Sequence, residues 1–111
     1  MFPEARILDG VFIALSDPTR RAIVARLMTA EANVTELSEP FQLTQPTISK
    51  HLKVLEQAGL IETSRDAQRR PRRIKPSGLK AIADWLEPFR TQWEDRLDNL
   101  DHHLETFKTE K

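Results

Sequence analysis

Apolar residues recur along this chain in a helical rhythm that is interrupted once. Ile7, Leu8, Val11, Phe12 and Leu15 fall on one face around Gly10 and predict a first helix over about residues 7–15. Asp17-Pro18 then opens a second. An N-cap acid comes first, followed by a proline whose fixed φ and missing N–H suit a first turn, and the helix carries Ile23, Leu27 and Met28 to about Thr29. Thr35 is the expected cap of a short third helix through Leu37 to about Phe41, with Pro40 limiting its length, and a turn at Gln42-Leu43 leads into a fourth. That fourth helix has the sharpest boundaries. Thr44 is its N-cap, Pro46 lies in its first turn, and Gly59 is the left-handed stop with Leu60 as the following hydrophobic contact. Between these stops Ile48, Leu52 and Leu55 share a face, and Pro46, Lys50, Lys53 and Gln57 lie opposite.

After Gly59 the period changes. Leu60 to Ser64 and Arg72 to Lys75 read as two strands around a polar loop from Asp66 to Pro71, a hairpin with arginines at its tip. Ser77 is the expected cap of a further helix through Leu79, Ile82, Trp85 and Leu86, which Pro88 should break or kink near Glu87. Beyond it Phe89, Trp93, Leu97, Leu100, Leu104 and Phe107 form a stripe. From Trp93 onward its 4-3-4-3 spacing averages 3.5 residues, a seam narrow enough to require a partner helix. The pattern predicts one domain over residues 1–111, mainly α with a small β-hairpin: a winged helix-turn-helix of about five to six helices plus a two-stranded wing. The helix-turn-helix covers about 35–58, the wing about 60–76, and C-terminal dimerisation helices about 77–107.

Charge sharpens this picture. The formal net charge is zero, which alone argues against nucleic-acid binding. Its distribution reverses the argument: residues 65–80 carry +6, with Asp66 their one acid, and residues 84–111 carry −4. Four arginines, Arg69, Arg70, Arg72 and Arg73, fall within five residues and would repel one another unless an anion neutralised them. The outward face of the fourth helix adds two lysines, short hydroxyls at Thr47 and Ser49, and Gln45 near the start, with no acid before Glu56. That chemistry suits a negatively charged groove bearing donor and acceptor edges. The expected contacts to double-stranded DNA are therefore Gln45, Pro46, Thr47, Ser49, Lys50, His51 and Lys53 on the helix, and Arg69, Arg70, Arg72 and Arg73 on the wing. For His51, between Ile48 and Leu55 on the helical wheel, packing and phosphate contact are equally open. Phe89, Trp93, Leu97, Leu100 and Leu104 are the expected interface with a second copy.

Other chemistries find little here. The absence of cysteine removes disulfides, thiolate metal ligands and thiol redox switching. There is no serine-histidine-acid or cysteine-histidine arrangement, and no phosphate-cradling glycine loop, so no catalytic residue and no cofactor are expected. No apolar run is long enough to span a membrane and no secretory leader is present, which points to the cytoplasm.

Three segments together resemble the ArsR/SmtB family of bacterial winged-helix repressors: Leu15-Ser16-Asp17-Pro18-Thr19-Arg20-Arg21; Gln45 to Leu52 with Leu55 and Gly59-Leu60-Ile61; and Arg69 to Arg73 at the place of the wing. Glu87-Pro88-Phe89 and Trp93-Glu94-x-Arg96-Leu97 are similar to its metal-independent autorepressor branch. The resemblance implies a homodimeric DNA-binding repressor on a partly palindromic operator. It does not carry over the family's metal sites. Where thiolate sensors have a Cys-Val-Cys-Asp-Leu box, this chain reads Asn33-Val34-Thr35-Glu36-Leu37, and of the Asp-x-His … His-x-x-Glu pattern only Asp101-x-His103 is present. No metal is expected and the effector is unknown. The rivals are a winged-helix protein-interaction module, or a repressor sensing a small organic ligand or a metal through His102 and His103.

Overall fold

A computed structural model describes the backbone of residues 3–65 and 68–109 and the side chains of residues 6–65 and 68–106. The elements run α1 (Pro3–Leu15), α2 (Pro18–Leu27), α3 (Val34–Phe41), α4 (Gln45–Gln57), β1 (Ile61–Thr63), β2 (Arg72–Ile74) and α5 (Pro76–Thr109). Val11 and Ala14 of α1, Ile23, Val24 and Leu27 of α2, Leu37 of α3, Ile48, Leu52 and Leu55 of α4, and Leu60 and Ile61 at the wing root form one buried cluster. The 3.6-residue spacing of the apolar positions is what points these side chains inward from four helices.

Local chemistry sets the boundaries. Asp17 caps α2 by accepting the Arg20 N–H at 2.9 Å, and Thr44 caps α4 by accepting the Thr47 N–H at 3.4 Å. Gly59 follows α4 with φ +79°, a conformation that costs a side-chain-bearing residue about 1–2 kcal/mol. The cap of α3 is Asn33 and not Thr35. Asn33 Oδ1 accepts the Glu36 N–H at 2.8 Å while Glu36 Oε1 accepts the Asn33 N–H at 3.1 Å, a reciprocal pair that Thr35 has no acid to complete. Gln42, left-handed at φ 55°, closes α3 and turns the chain into α4.

The strands are shorter than the pattern suggested and pair antiparallel, Ile61 with Ile74, Glu62 with Arg73, and Thr63 with Arg72. Ala32, just before α3, bridges Arg72 through both backbone bonds, 3.1 and 2.8 Å, and ties β2 to the start of α3. Asp66, the expected start of the tip, lies outside the described residues, as does the Phe107 side chain.

The largest departure is α5. It begins at Pro76, ahead of the expected Ser77 cap, and runs through Pro88 without the expected break, so residues 77–107 lie in one helix and not two. A proline removes one backbone bond and crowds the carbonyl four residues earlier. Here Arg90 spans the site, donating to Glu87 at 2.7 and 3.1 Å and to Glu94 at 2.9 Å, and holds the flanking turns together. At 34 residues the helix is about 51 Å long and projects well beyond the core: the Cα radius of gyration is 19.3 Å, against about 13 Å for a compact chain of this length.

Candidate nucleic-acid interface

The site is built on the corner between α1 and α2. Arg20 Nε donates to the Ala14 carbonyl at 2.6 Å and Arg21 Nη1 to the Leu15 carbonyl at 2.8 Å, so two cations satisfy the last acceptors of α1. Asp17 between them completes the corner. The Arg20 backbone N–H holds its carboxyl below the usual carboxylate range, helped by the charges of Arg20 and His51. His51, on α4, places Nδ1 4.0 Å from Asp17 Oδ2 with one-fifth of its side chain exposed. It thus lies beside the cap of α2, beyond hydrogen-bond distance.

From this corner α4 turns its other face outward. Ile48, Leu52 and Leu55 are buried; Gln45, Pro46, Ser49, Lys50, Lys53 and Gln57 are exposed, and Thr47 is half-buried. The Thr44 and Thr47 hydroxyls lie 2.9 Å apart, and Gln45 Nε2 donates to Thr35 Oγ1 at 3.2 Å. Thr35, not expected at the site, therefore stands at the start of the presented face. Arrayed here are amide, hydroxyl and ammonium groups without a carboxylate until the last turn, the donor-rich set that reads base edges and phosphates.

The wing arginines divide. Arg69 and Arg70 are exposed at the tip, Arg70 at φ 47°. Arg73 is exposed and donates across the hairpin to Glu62 at 2.8 Å, so part of its charge is already answered within the protein. Arg72 turns inward, with its side chain about one-fifth exposed. Its Nη1 donates to the Arg70 carbonyl at 2.9 Å, and its buried Nε lies 3.6 Å from Glu56 Oε1, close enough for charge pairing but not for a hydrogen bond. It does not share the surface presented by Arg69 and Arg70. Among the described residues no three His, Cys, Asp or Glu side chains cluster as metal ligands, and no helix is long and apolar enough to cross a membrane.

The profile of bacterial regulatory proteins of the arsR family matches residues 17–63, from the cap of α2 to the end of β1. The HTH-type transcriptional regulator Rv2034 of Mycobacterium tuberculosis is 39% identical over 84 residues, covering 76% of this chain and 78% of the relative. The chain belongs to the arsR family. The transcriptional repressor SdpR of Bacillus subtilis is 31% identical over 90 residues, which span 81% of this chain and all of that one. Among solved structures, an ArsR-like regulator from Rhodococcus sp. RHA1 superposes with a TM-score of 0.70 at 30% identity, covering 86% of this chain and 91% of its own. The homodimeric winged helix-turn-helix DNA-binding domain Mb0332 of Mycobacterium bovis shares the fold, with a TM-score of 0.63 at 23% identity. The arsR assignment makes the chain a winged helix-turn-helix transcription regulator with β1–β2 as its two-stranded wing, in a family of regulators and not enzymes.

Proposed function

We propose that this arsR-family chain is a cytoplasmic transcriptional repressor that binds a partly palindromic operator as a homodimer and senses no metal directly. The outward face of α4 carries the proposal. It sets Gln45, Pro46, Ser49, Lys50 and Lys53 in solvent over a buried Ile48-Leu52-Leu55 stripe, and this is how a recognition helix enters a major groove. In this reading Gln45, Thr47, Ser49 and Lys50 lie nearest the bases, while Lys53, Arg69, Arg70 and Arg73 meet phosphates or the adjacent minor groove. His51 lies behind this face, beside Asp17.

The exposed stripe of α5 supports the dimer. Trp85, Leu86, Phe89, Trp93, Leu97, Leu100 and Leu104 are each between 42% and 61% exposed, an apolar strip that a soluble monomer does not present without a use. Phe12 of α1 packs edge-to-face on Trp85 at 5.4 Å, and Trp85 lies 4.9 Å from Phe89, so the strip continues onto α1. A second copy laid along it would bury the seam and set two recognition helices on one face of DNA.

The ligand set supports metal independence. Stripping water from a zinc, cadmium or nickel ion takes thiolates or a full set of histidines and carboxylates. Asn33 and Thr35 supply neither, and Asp101 with His103 is half a set. Fluorescence anisotropy of operator DNA tests both parts. The protein should bind DNA flanking its own gene, and micromolar zinc, cadmium, nickel or arsenite should change the affinity by less than about twofold, under roughly 0.4 kcal/mol. Release by zinc that vanishes in a His102→Ala, His103→Ala variant would place a sensor between the subunits.

A further inference from the structure

We infer that Glu56 and Arg72 form a latch that sets the position of the wing relative to the recognition helix, and that Arg72 serves DNA binding as a positioning residue without touching DNA. This rests on the reading of α4 and the wing as the DNA-binding surface. Three observations converge on Arg72. Its backbone pairs on one side with Thr63 of β1 and on the other with Ala32 through both its N–H and its carbonyl. Its Nη1 holds the carbonyl of Arg70, the left-handed residue that shapes the wing tip. Its Nε is buried and 3.6 Å from the carboxylate of Glu56, the acid in the last turn of α4.

Glu56 completes the arrangement by accepting the Thr63 hydroxyl, so one carboxylate on the recognition helix engages both strands of the hairpin. A planar guanidinium can donate to a backbone carbonyl and pair its charge with a nearby carboxylate at once from a fixed fork, which a flexible lysine would not reproduce. Glu56 is otherwise out of place. An acid on the helix that faces a polyanion opposes binding, unless it does something that binding needs. Holding the wing is such a task, because Arg69 and Arg70 reach phosphates only if the hairpin stands at the right angle to α4.

The sign of one substitution separates this from direct contact. If Arg72 touched phosphate and Glu56 were a bystander, Glu56→Ala would remove a repulsive charge and leave operator affinity unchanged or higher. The latch requires the opposite. Glu56→Ala and Arg72→Ala should each weaken operator binding by about tenfold, and the double variant should be no more than about threefold worse than either single one, because the two break the same contact. Glu56→Gln and Arg72→Lys form a gentler second cycle, with the same ordering expected should an alanine variant fold poorly. A readout without DNA keeps the latch separate from the DNA-binding reading: in the free protein, trypsin should cut the wing after Arg69 several-fold faster in Glu56→Gln than in wild type, with the rest of the chain intact. Unchanged or tighter operator binding by the Glu56 variants, additive losses in the cycle, or equal wing cleavage would overturn the latch.

Discussion

Single residues fix the corners on which this interface stands, and their effects are separable. Asn33→Ala removes half of a reciprocal cap at a buried position and should cost about 1 kcal/mol of unfolding free energy in urea titration. Gly78 makes a different demand. A Cβ there would lie 2.2 Å from the Gly59 carbonyl oxygen, so α5 starts directly against the turn that ends α4. Gly78→Ala should cost roughly 1–3 kcal/mol by overpacking against backbone that cannot move aside. Asp17 gives a pH signature: its folded pKa lies below the ordinary value because the Arg20 N–H favours the carboxylate. That contribution is complete above about pH 4 and is lost as the pH falls through the folded value. Asp17→Asn should therefore flatten the acid limb of the stability curve and leave neutral behaviour closer to wild type than Asp17→Ala does. Much at this scale was legible in the chain. Asp17-Pro18, Thr44 with Pro46, and Gly59 announce their roles because capping and positive φ are local chemistry. Gly78 was silent because its neighbour is nineteen positions away in the chain. Asn33 was readable, since Glu36 stands three residues on, but Thr35 competed for the same role.

Between elements, the proposed division of labour is between α4 and the wing. Thr47→Ala or Gln45→Ala should relax discrimination at particular base pairs by about 1–3 kcal/mol each, while Arg70→Ala should weaken binding to all sequences nearly equally. Identical specificity profiles for the two classes would contradict that division. The inward turn of Arg72 could have been read from strand alternation: Arg72 and Ile74 share one side of β2, Ile74 packs on the core, and Arg73 points the other way. A run of four arginines invited a single reading where the pleat imposes two. Helix α5 shows the opposite limit. Pro88 signalled a break or kink by the usual rule, yet the helix continues unbroken, with Arg90 bonded to both Glu87 and Glu94 and holding the Glu87 carboxyl below its usual range. The i, i+3 and i, i+4 bridges do not enter a local proline rule.

At the scale of the molecule, segregated charge and an exposed apolar strip set the behaviour. Roughly six to ten phosphate contacts per dimer imply a log–log salt slope of about −5 to −9, and a slope shallower than about −2 would leave no room for the wing arginines. Leu100→Asp places a charge in the seam at a cost of several kcal/mol and should give monomers in sedimentation, with high-affinity operator binding lost alongside. The exposed apolar strip was legible as a period of 3.5 residues, but the continuity of its helix was not, because one helix of 34 residues replaces the expected two. That two copies read DNA together is tested, with no operator chosen in advance, by selecting tight binders from a pool of random duplexes. The recovered sites should hold two inverted half-sites centred about one helical turn, roughly 34 Å, apart, each occupied by one protomer. Enrichment of a lone half-site, or of no sequence at all, would contradict it.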